Sequence, residues 1–154
     1  MPARTTLILP FVFALTVLTA NPARAEKADA IKSVSEREES TWKLARKIWE
    51  FAEPGYQEEQ SSKLLADHLE AAGFEVKRKA AGIPTAFTAT FGEGEPVIGI
   101  LGEFDALPGL SQDDVPYRQP REGKTYGHAC GHHLFGAASA PPRSPLPSGS
   151  RLVI

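Results

Sequence analysis

The hydrophobic period of this chain changes once, and that change dictates what it can fold into. Before Gly73 apolar residues return every three or four positions; after it they alternate and then run together. Trp42, Leu44, Ala45, Ile48, Trp49 and Ala52 form one stripe, with Lys43, Arg46, Lys47 and Glu50 off it. The spacing predicts a helix over residues 27–52, ended by Pro54-Gly55. A second helix is expected from about Glu58 to Ala72. Leu64, Leu65, His68, Leu69 and Ala72 are its inner face, and Gly73 stands where a C-terminal glycine cap belongs. His68 reads as a core histidine rather than a ligand.

Past Gly73, Phe74 and Val76 alternate with Glu75 and Lys77, as in a short strand. Residues 86–91 are rich in β-formers, and Gly92-Glu93-Gly94-Glu95 reads as a hairpin turn. Val97-Ile98-Gly99-Ile100-Leu101 is continuous and apolar, as in a strand buried on both faces. Helix, helix, hairpin, buried strand is the opening of an α/β layered fold. Left without later neighbours, that last strand would offer an apolar edge, so poor solubility is expected.

The 154 residues allow one domain at most, and 42% hydrophobic residues allow it a small core. The first 25 residues stand apart. Arg4 precedes the uncharged run Leu7–Ala20, and Ala23-Arg24-Ala25 is a small-x-small site, the order of a secretory signal peptide. The run is 14 residues long and contains Pro10, whereas a membrane span needs about 20. An exported chain, periplasmic or secreted, with no stable membrane span is expected. Without Arg4 and Arg24 it carries 15 cations against 19 acids, a net charge of −4. Lys77-Arg78-Lys79, the only dense basic run, reads as a solvated strand edge, so no nucleic-acid partner is expected. A single cysteine, Cys130, excludes an internal disulfide framework.

Two clusters carry chemistry. Glu103 and Asp105 follow the apolar run directly, where α/β ligand sites form. Alternation puts them on one face with Phe104 opposite. Two carboxylates in a partly dry place repel unless a cation or a shared proton intervenes. The second cluster is His128, Cys130, His132 and His133. Thiolate and imidazole are favoured zinc ligands, and Gly131 lets a tight backbone bring Cys130 and His132 to one point. The second cysteine usual in a structural zinc site is absent. A catalytic site with open positions, or one completed by distant residues, fits better. A cysteine-nucleophile hydrolase, with Cys130 paired to a neighbouring histidine, is the rival reading and ranks below metal.

At these residues the chain resembles the two-metal peptidases and amidohydrolases, the family of aminoacylases and indole-acetyl-amino-acid hydrolases. Within that family it resembles most the p-aminobenzoyl-glutamate hydrolases and aminoacylase-like dipeptidases. ILGEFDALPGLSQ (Ile100–Gln112) and GHACGHHLFGAAS (Gly127–Ser139) carry the likeness, with weaker support from Ile48-Trp49-Glu50, Pro54-Gly55-Tyr56 and residues 69–76. It covers roughly Ala30 to Ser139. The resemblance implies an α/β fold: the N-terminal part of a zinc-peptidase-like catalytic domain, helices packed on a mixed sheet, incomplete. It implies that Cys130 and His132 are metal ligands. It makes Asp105 the catalytic acid that orients a metal-bound histidine or bridges to the site. Glu103, His128 and His133 are left as candidates to line it. It implies two divalent metal ions, zinc or manganese, a small-molecule amide as substrate, and a homodimer for a full-length relative.

The same resemblance implies what should follow Ser139: a continued helix, a Glu-Glu pair with the general base, a lid or dimerisation domain and a last histidine ligand. Instead Pro141, Pro142, Pro145 and Pro147 break any helix, and no Asp or Glu occurs after Glu122. The expectation is an N-terminal fragment (residues 26–139) with a Pro-rich tail over 140–154 unlike the family, as from a reading-frame slip. Such a fragment is expected to be inactive by itself. A non-catalytic product with weak metal binding is the alternative.

Overall fold

The structure, a computed structural model, describes residues 22–140 and 150–154. Most of the expected leader and most of the Pro-rich tail lie outside the described residues. The first helix, α1, spans Pro22–Phe51 and so begins earlier than the apolar stripe indicates. Among the described residues no helix is long and apolar enough to cross a membrane. Leu44, Ala45 and Ile48 are buried, while Trp42, on the flank of the stripe, stays exposed.

The second helix, α2, spans Glu59–Ala71. Its first turn is capped from outside. The Glu53 carboxylate accepts hydrogen bonds from the backbone N–H groups of Gln60 (2.9 Å) and Ser61 (2.8 Å) and from the Ser61 hydroxyl (2.8 Å). These donors have no partner inside the helix, and a carboxylate there also meets the positive end of the helix dipole. The C-terminus ends at Gly73, φ +91°, as the sequence indicates. Gly73 N–H bonds to Glu70 O (2.9 Å) and Phe74 N–H to Leu69 O (3.0 Å), the paired bonds of a Schellman ending.

Four strands form a mixed sheet. β1 (Glu75–Arg78) pairs antiparallel with β2 (Phe87–Phe91). β3 (Val97–Gly99) lies at the opposite edge, and β6 (Arg151–Val153) sits between β2 and β3, antiparallel to the first and parallel to the second. A short pair, β4 (Leu107–Pro108) with β5 (Tyr126–Gly127), stands apart from the sheet. The last helix, α3, spans His132–Ser139 and packs on α1.

Two expectations are corrected here. The hairpin between residues 86–91 and 97–101 does not form, because β6 occupies the space between those strands. Gly92 serves that passage. It has φ +80°, and a Cβ there would lie 2.6 Å from Ser150 O, so only glycine lets the terminal strand through. Residues 151–153, which carry no readable local signal, are thus the centre of the sheet. Finally, the run 97–101 is not buried on both faces. Ile98 and Ile100 pack against the core while Val97 and Leu101 are 45% and 72% exposed. One face of the sheet meets the helices and the other is open. β3 therefore has one neighbour rather than none, and its outer edge is free among the described residues.

The core joins Leu44, Ala45 and Ile48 of α1, Leu65 and Leu69 of α2, Phe74, Ala89, Ala137 of α3 and Leu152 of β6. Because Leu152 is 1% exposed at the sheet centre, Leu152→Ala should cost roughly 2–5 kcal/mol. Val97→Ala at the open edge should cost under about 1 kcal/mol. Urea unfolding of the full chain checks both, and equal losses would contradict the placement of β6.

Candidate metal centre

The site is built where the end of α1 meets residues 105–128. The last four carbonyls of a helix lack partners inside it. Here the Ile48 carbonyl accepts from Ala52 N–H (3.0 Å) and from His128 Nε2–H (3.1 Å). Arg121 Nη1 donates to Trp49 O (2.9 Å) and Glu50 O (3.4 Å), and Lys124 Nζ donates to Phe51 O (3.1 Å). Cations at this end also meet the negative pole of the helix. Arg121 further lies over the Trp49 ring at 4.0 Å. One step beyond the helix, Ala106 N–H donates to Glu53 O (2.7 Å). Asp105 on one side and the histidine motif on the other are thereby fixed to one place.

From this anchorage the expected residues sort into two groups. Glu103, Asp105 and His132 come together. His132 Nδ1–H donates to Asp105 Oδ1 at 2.8 Å, since a carboxylate can only accept from it. His132 Nε2 lies 3.1 Å from Glu103 Oε2. Phe104 turns the other way and stacks on Phe87, with centroids 6.0 Å apart. The alternation read from the sequence therefore holds, although residues 103–105 lie past the end of β3.

His128 and His133 form the second group, packed toward α1. Their rings are tilted against each other with centroids 4.9 Å apart, and the Nδ1 of each is buried without a hydrogen-bond partner. His133 faces a small cleft lined by Trp42, Arg46, Trp49, Asp113 and Asp114. Cys130 is exposed, in the tight turn closed by Gly131 N–H bonding to His128 O (3.0 Å). Gly131, φ +82°, then starts α3. His68 on α2 is half-buried and lies outside both groups.

The donor chemistry fits a divalent cation in kind. A proton held on Nδ1 by Asp105 leaves Nε2 with its lone pair, the usual preparation of a metal-binding imidazole. Two ligand atoms about 2.1 Å from one ion stand roughly 3.0–3.4 Å apart, and His132 Nε2 and Glu103 Oε2 are 3.1 Å apart. In number the set is partial. Among the described residues no group of three or more His, Cys, Asp or Glu side chains is arranged to hold a metal. Sequence reasoning misses Arg121 and Lys124, whose role depends on carbonyls more than 70 residues away in the chain.

Burial holds the imidazoles of His128 and His133 below the ordinary histidine range, His133 down to about 4 and helped by the neighbouring His128. Burial acts on His68 in the same direction. The unfolded chain takes up these protons near pH 6.5, the folded chain only at lower pH. The contribution of these imidazoles is then whole above about 6.5 and falls as pH drops through it, that of His133 until about 4. Urea midpoints at about pH 7.5 and about pH 5.5 should show the decline; equal midpoints would contradict it.

No family model matches the chain. It is 48% identical over 99 residues to a subunit of the p-aminobenzoyl-glutamate hydrolase of Escherichia coli K12, covering 62% of this chain and 20% of that protein. It is 32% identical over 140 residues to an IAA-amino acid hydrolase (ILR1-like 2) of Arabidopsis thaliana, covering 82% of this chain and 31% of that one. Its fold matches a dinuclear metal-binding peptidase of the M20 family from Bacillus subtilis with a TM-score of 0.61 and 25% identity, over 78% of this chain and 35% of the other. The chain thus spans about a fifth to a third of the relatives it matches. Its homologues are amidohydrolases and dinuclear metal peptidases of the M20 family, all of them hydrolases, and its α/β fold is that of a part of their structure.

Proposed function

We propose that this chain contributes one side of the metal centre of an exported hydrolase. That hydrolase cleaves amide bonds in N-acyl amino acids, p-aminobenzoyl-glutamate-like compounds or small dipeptides. The observation that carries the reading is the His132 ring held between Asp105 and Glu103. In this reading His132 and Cys130 bind metal, zinc or manganese, and Asp105 orients His132. Glu103 stands beside the ion position. A metal ion at such a site lowers the pKa of a bound water and polarises the scissile carbonyl. What the chain itself supplies is the fixed imidazole, the carboxylates around it and the thiolate-bearing turn.

The partial ligand set supports a second element of the proposal: alone, the chain binds metal weakly and turns over little. The relatives' chemistry then requires ligands and a general base beyond those described here, and a dimer belongs to that fuller assembly. The rival cysteine-nucleophile reading is disfavoured by geometry. Cys130 is exposed, and both nitrogens of His132 face carboxylates rather than a thiol.

A chimera tests the proposal. The 99 matching residues of the Escherichia coli p-aminobenzoyl-glutamate hydrolase are replaced by the corresponding residues of this chain. Hydrolysis of p-aminobenzoyl-glutamate is then measured with and without Cys130→Ala. The chimera should hydrolyse the amide and the variant should lose roughly 100-fold or more, as expected for removal of a metal ligand. A soluble, folded chimera that binds metal but is inactive, or activity indifferent to Cys130→Ala, would overturn it.

A further inference from the structure

The resemblance makes His128 a candidate to line the site, yet its ring bonds to the end of α1. It is 8% exposed, its Nε2 bonds to Ile48 O, and the ring also lies against the Asp105 main chain. A carbonyl can only accept, so the proton sits on Nε2. The main chain of the same residue is engaged too. Its carbonyl closes the turn to Gly131 that carries Cys130 and hands the chain to His132 at the start of α3.

The flanking contacts leave that turn little freedom. Gly127 pairs with Leu107, and a Cβ at Gly127 would lie 2.0 Å from Leu110 O. On the opposite side Ala106 is bonded to Glu53, just beyond α1. Asp105 and His132 thus belong to two segments whose separation is set by where each meets the end of α1. Arg121 and Lys124 cap the neighbouring carbonyls, but those contacts are partly or fully exposed. His128 is the buried one.

We infer that His128 is a positioning residue. Its Nε2–H bond to the Ile48 carbonyl holds the His128–Gly131 turn against α1 and so places the His132 ring on Asp105. The inference rests on the reading of His132 and Asp105 as part of the metal centre, and it assigns His128 no contact with metal or substrate. It also accounts for a polar side chain at a buried position where an aromatic hydrocarbon would fill the same space.

The test uses the full 154-residue chain. Nitrogen-15 spectra of the imidazoles report whether His132 carries its proton on Nδ1. His128→Gln keeps a donor at about the reach of Nε2, whereas His128→Phe keeps the ring volume without one. The Gln variant should retain the His132 Nδ1–H signature. The Phe variant should lose it, with His132 exchanging between tautomers, while its circular dichroism stays that of a folded chain. A folded Phe variant with the signature intact would make His128 a core residue only and overturn the inference. If the Phe variant fails to fold, the Gln variant decides: loss of the signature there overturns it and retention supports it. Absence of the signature in the unmodified chain would overturn the Asp105–His132 reading as well, which separates that failure from a failure of His128 alone.

Discussion

The carbonyl groups that close α1 find their partners in a distant stretch of chain, and the site depends on that exchange. A helix end buried without partners is costly, because each unpaired polar group loses its water and gains nothing. Arg121, Lys124 and His128 supply the donors, and Ala106 supplies one more to the segment just past the helix. The same bonds that satisfy the helix therefore bring residues 105–106 and 127–132 side by side. Stability of the fold and placement of the site are one set of interactions here.

On that frame the electrostatics become specific. Glu103 and Asp105 emerge past an edge strand and would repel each other in a half-dry place. His132 lies between them, bonded to one and in contact with the other. Such an arrangement is satisfied by a doubly protonated imidazole or by a neutral imidazole with a cation beside Nε2. The relatives are dinuclear metal peptidases and amidohydrolases, which makes the cation the natural occupant in the proposed function. In the proposed site a thiolate or carboxylate ligand would make metal binding pH-dependent, since a proton competes for each.

Much of this is legible in the residues, and the rest fails for physical reasons. The two helices follow from apolar spacing, and Gly73 from the left-handed conformation a helix ending needs. Alternation alone puts Glu103 and Asp105 on a common face with Phe104 opposite, and the contacts with His132 and Phe87 agree. The terminal strand is not legible. Arg151-Leu152-Val153 is too short to show a period, and its place depends on pairing with residues more than 50 positions earlier. Gly92-Glu93-Gly94-Glu95 reads locally as a hairpin turn because glycine signals both a turn and a close backbone approach; here Gly92 serves the second. Non-local pairing overrides the local signal. His128 and His132 look alike in sequence, four residues apart, and only the fold shows that one faces α1 and the other the acids.

The most direct test of the centre is the optical spectrum, with cobalt(II) added, of the chimera in which this chain replaces the matching residues of the Escherichia coli hydrolase. If Cys130 and His132 bind one ion, a thiolate-to-cobalt charge-transfer band should appear, vanish in Cys130→Ala and weaken in His132→Ala. A spectrum like that of aqueous cobalt, unchanged by either substitution, would contradict the account.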